Sequence, residues 1–494
     1  MSQAVAASLA FPFAGAVLAL LVGERYCRAV AVATVTVTLA SAAAAVFSIF
    51  PSELVVALGA LRWLDSVDKG LFGYLLDPLS AIVLLVVAGI GFLVGLYATG
   101  YLGPGNLEHP VRQGSPRFYF WLLAFEGSMV GLVISPNLLQ LFLFWEMTTL
   151  CSWALISYYQ SQESVAAGFK ALIMTHIGGF GFVVALALLY ASTGSFTFSA
   201  LAGAPAGIKV ACFALLLVAA WAKAAQVPFH TWLPSAMAAP TPVSAYLHAA
   251  AMVKAGVFLM ARVVLSAKPA PHAIGEVMLM MALLTIAVAV FFMVLQNDLK
   301  RMLAFSTIAH LGYVLVGVGL GALGSTIGYR GAVLHILCHS VAKTTLFLVV
   351  GALAYAPGSR NINALTGLSR KMPVEAMAYF TGALAAAGIP PLACFWSKFY
   401  ILAGALDVGG TAGVAVMVFL LVESAIVLGW LIYVGHRIFF GAAPAPATAA
   451  RPAEEGALGP RPVAMSAVLI MATALCVLVP WLGLWMVQWL RLLP

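Results

Sequence analysis

Fourteen runs of predominantly apolar residues, each long enough to cross a bilayer, divide this chain at 4–22, 29–50, 75–97, 118–134, 136–158, 167–193, 207–228, 243–265, 273–294, 302–323, 328–354, 375–402, 413–440 and 462–490. A helical crossing needs about 20 such residues. In lipid every backbone polar group has to be satisfied within the segment, and a helix does this. The expected fold class is therefore an all-α polytopic membrane protein with about 14 transmembrane helices. The runs and the short loops that join them take up the length of the chain, so one integral membrane domain, 1–494, is expected, with no length left for a soluble catalytic module.

Only 8% of the residues are charged and 63% are hydrophobic, against roughly a quarter charged in soluble domains. The first run follows only MSQAVAAS, without a basic segment or a small-residue cleavage site, and reads as a retained helix, not a signal peptide. Six cysteines stand singly in or beside apolar runs, without a CxxC pair, and are expected to be packing residues. The formal charge of +8 is explained by basic inner loops and gives no support to nucleic-acid binding. With the N-terminus placed outside, thirteen Lys and Arg residues fall on the inner side and seven on the outer, so both termini are expected outside.

The remaining four basic residues, Lys223, Lys254, Lys343 and Lys398, fall inside spans, and so do Glu126, Glu146 and Glu423. A lone charge at membrane depth costs roughly 2.5–3.5 kcal/mol even on insertion scales, so each is a functional hypothesis that needs a partner or water. Two spans, 207–228 and 375–402, also carry breakers. QVPFHTWLPSAMAAPTP follows Lys223 and AGIPPLACFWSK leads into Lys398, and each break is followed one span later by an ion, Lys254 and Glu423. That correspondence predicts a first repeat over 118–265 and a second over 273–440, with discontinuous helices near the midplane. The Ala-, Pro- and Gly-rich 441–462 reads as a flexible inner loop.

Glu146 and Lys223 form one expected pair, a proton store in which desolvation and a nearby carboxylate act oppositely on the lysine. The alternative for Glu146 is a structural ion pair or a neutral acid locking two helices, and for Lys223 it is snorkelling. Lys254 sits too deep to snorkel, and His248, six residues earlier, is off its face, so coupling between them needs water. His335, His339 and Lys343 lie at i, i+4 and i+8 of HILCHSVAK, on one helix face. They read as a relay, as packing groups, or as a metal site that lacks a third ligand on that helix. Lys398 and Glu423 close the row, and Glu126 is either a further pathway acid or a helix-pinning group. Asp298, Lys300 and Arg301 read as a solvated inner loop, and Asp77 as the helix start before Pro78.

FWEMTT with CSWALISYYQS, the whole run WAKAAQVPFHTWLPSAMAAPTPVSAYLHAAAMVKAGVF, QNDLKRMLAFSTIAHLGY and GIPPLACFWSKF resemble the antiporter-like subunits shared by respiratory complex I, multi-subunit sodium/proton antiporters and membrane-bound hydrogenases. YATGYL, NLEHP and CSWALISYYQS are most similar to component D of hydrogenase 4 type complexes. The resemblance implies fourteen helices, two inverted five-helix repeats and a central hydrophilic axis. By similarity Glu146 is the pairing glutamate, Lys223 its partner, Lys254 the connecting lysine and Lys398 the terminal lysine, a position where some members carry glutamate. The long lateral helix of some members is not expected, since the chain stops at Pro494.

What the resemblance implies is a proton-translocating subunit of a redox-driven membrane complex, with Glu146, Lys223, Lys254, His248, His335, His339, Lys343, Lys398, Glu423 and Glu126 as the pathway residues. No cofactor or metal site is expected in this chain, and redox chemistry would belong to other subunits. The implied partners are further membrane subunits, a peripheral redox arm reached through them, the lipid bilayer, and protons or sodium. The implied location is a bacterial or archaeal cell (inner) membrane. Two alternatives are a sodium/proton antiporter subunit and a non-pumping scaffold or energising subunit.

Overall fold

The computed structural model describes residues 2–57, 72–442 and 461–490. The predicted loop 441–462 lies, over 443–460, outside the described residues, as do Arg62, Lys69, Arg451 and Arg491.

Among the described residues the chain confines its strands to one antiparallel pair, β1 (Leu54–Ala57) and β2 (Gly73–Leu76), with Leu54 opposite Leu76. Its helices are α1 (Ser2–Leu21), α2 (Gly23–Ile49), α3 (Pro78–Tyr101), α4 (Ser115–Val133), α5 (Leu138–Ile156), α6 (Gln162–Thr193), α7 (Phe198–Gly203), α8 (Ala206–Lys223), α9 (Trp232–Ser235), α10 (Thr241–Ala249), α11 (Met252–Ser266), α12 (His272–Val294), α13 (Leu299–Ala322), α14 (Thr326–Tyr355), α15 (Pro373–Ala387), α16 (Cys394–Val408), α17 (Gly410–Phe440) and α18 (Val463–Val487). Twelve stretches are long and apolar enough to cross a membrane, counting α10 and α11 as one. The helix α4 and the broken pair α15 and α16 occupy the two other predicted spans. The protein is a multi-pass membrane protein.

Polar side chains punctuate the ends. Asp77 caps α3 as expected, its Oδ1 accepting from Ser80 N at 2.9 Å with Pro78 in the first turn. Asp298 caps α13 in the same way, accepting from Arg301 N at 2.9 Å.

Burial sorts the helices into an inner and an outer set. The apolar windows of α13 and α14 are entirely enclosed, whereas about a third or less of those in α1, α2, α17 and α18 is covered. The outer helices face lipid with Leu, Val, Phe and Trp, and the ionisable side chains are carried mostly by the inner ones.

Both predicted breaks are present. α8 ends at Lys223, Ala225 takes a left-handed φ of 51°, and short turns carry the chain past Pro228 to α10. α15 ends at Gly388, with φ 89°, before Pro390 and Pro391. Glycine is required there twice over, because a Cβ would also come within 3.0 Å of Lys398 Cδ. A third break separates α10 from α11 at Ala250 and Ala251, three residues before Lys254. The local sequence HAAAMVK carries no Gly or Pro to announce it.

Two cations near helix ends are buried. Lys300 is 2% exposed and donates to Ala239 O at 2.7 Å, beneath the first break, so the reading of Asp298, Lys300 and Arg301 as a uniformly solvated loop fails at its middle residue. Arg262 is buried in a two-pronged pair with Asp77 at 2.5 and 2.8 Å and donates to Ser80 Oγ at 2.6 Å.

Candidate functional site

Lys223 ends α8 with its ammonium enclosed. It donates to Trp145 O and to Thr149 Oγ1, each at 2.7 Å, and lies 4.5 Å from the centre of the Trp145 ring. Glu146 stands between those two α5 residues in sequence but turns to the other side. Its carboxylate lies 3.1 Å from His176 Nε2 on α6, on a face where the His176 side chain is 52% exposed. Among the described residues no carboxylate lies within 4 Å of Lys223, so the expected direct contact with Glu146 is not made. The rotation has a local cause: Trp145 O and Thr149 Oγ1 occupy the ammonium, and the carboxylate fills the space left by Gly179, where a Cβ would come within 2.7 Å of Glu146 Oε1.

Lys254, in the first turn of α11, meets His339 Nδ1 at 2.7 Å. His339 and His335 project from α14, and between them stands His310 of α13. Its Nδ1 is 3.0 Å from His335 Nε2 and its ring 4.7 Å from that of His339. His335 Nδ1 in turn meets Ser397 Oγ of α16 at 2.8 Å, one residue before Lys398. The relay expected along one face of α14 therefore passes through a neighbouring helix. Lys343 leaves it, donating instead to Ser306 Oγ of α13 at 2.6 Å.

The last group is built on α16 and α17. Lys398 donates to Ser424 Oγ at 2.9 Å and to Ala387 O at 3.2 Å, and its ammonium lies 3.9 Å from Glu423 Oε2. Tyr313 of α13 donates to that carboxylate in a close contact and presents its ring to Lys398, 4.6 Å from the ammonium. The second break ends α15 where the Ala387 carbonyl is free to accept from the Lys398 ammonium, whereas Lys223 takes its carbonyl from Trp145, inside the unbroken α5.

Two predicted residues stand apart. His248 is buried against Phe347, ring centres 4.6 Å apart, with neither ring nitrogen hydrogen-bonded within the protein. Glu126 is buried on α4, its Oε1 unbonded and pressed against α3 at Gly91. His310, Tyr313, His176, Thr149, Ser397 and Ser424 were not singled out from the sequence. The signal for the first two was a histidine and a tyrosine three apart in AFSTIAHLGY, inside an apolar run.

Residues 135–425 match the family described as NADH:quinone oxidoreductase/Mrp antiporter, transmembrane, and residues 63–119 match the N-terminus of complex I chain 5. The chloroplastic NAD(P)H-quinone oxidoreductase subunit 5 of Acorus calamus is 37% identical over 351 residues, covering 67% of this chain and 46% of that protein. The Lemna minor subunit is 37% identical over 392 residues, covering 72% and 51%. The chain spans about half the length of the curated relatives it matches. A chain of the Mrp complex from Dietzia sp. superimposes with a TM-score of 0.85 at 28% identity, covering 99% of this chain and 51% of that one. A chain of an archaeal membrane-bound sulfane sulfur reductase shares the fold, with a TM-score of 0.84 at 23% identity over 99% of this chain and 96% of its own. By a match that spans every ion from Glu146 to Glu423, the chain belongs to the NADH:quinone oxidoreductase/Mrp antiporter transmembrane family.

Proposed function

We propose that this chain is a proton-translocating subunit of a redox-driven membrane complex of the hydrogenase, formate hydrogenlyase or NADH-quinone oxidoreductase type. The observation that carries the reading is the row Lys254, His339, His310, His335, Ser397 and Lys398, which crosses four helices through the enclosed middle of the molecule. Ionisable groups at such depth are retained for ion movement. Lys223 and Glu146 are its first-half members, Glu423 its second-half acid, and Lys343, His248 and Glu126 its flanking groups. Redox chemistry is assigned to partner subunits, which push on the row electrostatically or by conformation.

The two broken helices support a division into a first repeat over 118–265 and a second over 273–440. The basic-residue count supports both termini outside, and the motif likeness supports a component D type subunit in a bacterial or archaeal cell membrane.

The test is proton pumping by the assembled complex in vesicles. Lys223→Ala or Glu146→Ala abolishes pumping while the complex still assembles, and normal pumping in both removes the proposal. Transport that requires sodium and fails in potassium moves the assignment to a sodium/proton antiporter subunit. Pumping retained after neutralising all four buried lysines leaves a scaffold.

A further inference from the structure

Tyr313 stands where the histidine row meets the second-half lysine, and its one hydroxyl hydrogen has more than one acceptor within reach. The hydroxyl lies 2.8 Å from Leu420 O, 2.9 Å from Ser424 Oγ and in close contact with Glu423 Oε2. The titratable groups around it are His310 on its own helix, His335 on α14 with ring centres 5.6 Å apart, Lys398 on α16 and Glu423 on α17.

We propose that Tyr313 is a positioning residue that follows the protonation state of Glu423 and sets its separation from Lys398; this rests on the proton-translocation reading above. A phenol has a single hydrogen to donate. While Glu423 is ionised, the bond to its carboxylate is the strongest on offer. That bond holds Oε2 at 3.9 Å from the Lys398 ammonium, beyond hydrogen-bond range, and leaves the ammonium to Ser424 Oγ and Ala387 O.

When a proton moves from Lys398 to Glu423, one N–H bond breaks and one O–H bond forms. The new carboxyl then donates to the phenol oxygen, and the phenol hydrogen turns to Leu420 O. The phenol itself loses no proton. In both states the carboxyl is hydrogen-bonded, which matters in an interior where an unmet polar group is costly. Phenylalanine at 313 keeps the ring and loses both arrangements, leaving Glu423 Oε2 only the Ser424 hydroxyl at 3.4 Å.

The experiment uses the whole complex. Redox-induced infrared difference spectra locate the Glu423 carboxyl band by its disappearance in Glu423→Gln. Tyr313→Phe is expected to shift that band toward the position of a carboxyl without a strong hydrogen bond and to slow pumping about tenfold or more, with assembly intact. A wild-type band overturns the proposal, whether pumping falls or not, since a fall alone reports packing. Ring-labelled tyrosine in the unmutated complex supplies a second reading: a phenol C–O band that moves together with the carboxyl band is expected, and a stationary one overturns the proposal. Lys254→Ala separates the two readings. If it abolishes pumping while Tyr313→Phe changes nothing, only the role of Tyr313 falls; if both pump normally, proton translocation by this chain falls with it.

Discussion

Lys223 and Lys398 sit at the two helix breaks in nearly the same cage, and the difference between the cages is one carboxylate. Each ammonium donates to a backbone carbonyl and a hydroxyl and lies against an aromatic ring: Trp145 O, Thr149 and the Trp145 ring for one, Ala387 O, Ser424 and the Tyr313 ring for the other. Lys398 alone has a buried acid beside it. The acid of the first half, Glu146, looks outward to His176. These two lysines are therefore each held by dipoles and a ring, and a carboxylate is an addition that the two halves place differently.

The largest test of that contrast is removal of the lysines. Lys398→Ala strands the enclosed Glu423 and is expected to destabilise the complex by on the order of 3 kcal/mol, whereas Lys223→Ala, which strands no carboxylate within 4 Å, costs on the order of 1 kcal/mol. Thermal unfolding in detergent measures both, and Lys398→Ala combined with Glu423→Gln recovers most of the larger loss. Equal melting of the two single variants breaks the comparison.

Next in size are the hydroxyls. Thr149→Val removes one of two hydrogen-bond acceptors from Lys223, and Ser424→Ala one of two from Lys398. A hydrogen bond to a charged group contributes about 1.5–3 kcal/mol, so each variant is expected to slow pumping roughly tenfold or more. The Ser424 variant is affected less, because Glu423 remains near its lysine. Proton-to-electron ratios in vesicles rank them, and the reverse order contradicts the contrast.

A smaller effect follows from the rings. Trp145→Phe weakens the aromatic face over Lys223, a contact of about 0.5–2 kcal/mol, and is expected to reduce the pumping rate by a fewfold at most. The smallest effect belongs to His176→Gln. Its pair with Glu146 is half exposed, worth about 0–1 kcal/mol, so turnover should change by less than about threefold; a complete loss would make His176 itself a pathway residue beside Glu146.

Most of the fold could be read from hydropathy, because each span must satisfy its own backbone and so repeats the same signal. The prolines after Lys223 and before Lys398 gave away two breaks for a similar reason: they remove donors. The break at Ala250 and Ala251 carried no such mark, since alanine fits a helix better than any other residue. Lys300 was misread because hydropathy sees a charge at a span's end, not the Ala239 carbonyl that receives it from another part of the chain. His310 and Tyr313 were missed for the same reason. Their partners lie 25 and 110 residues away, and helical periodicity describes only one helix at a time.

The imidazoles of the central row have a further consequence, which concerns direction. His335 is engaged at both ring nitrogens, Nε2 to His310 and Nδ1 to Ser397, while the Nε2 of His339 has no hydrogen-bond partner within the protein. A proton that enters an imidazole at one nitrogen and leaves by the other exchanges the ring's tautomer. After one passage His335 has donor and acceptor transposed, and a second proton arriving from the same side finds a donor in its way. The row must rewind, by ring rotation or by tautomer exchange, before it conducts again. On the proposed proton-translocating function the row acts as a turnstile that admits protons singly, the property that would match a distant redox event to a fixed count of ions.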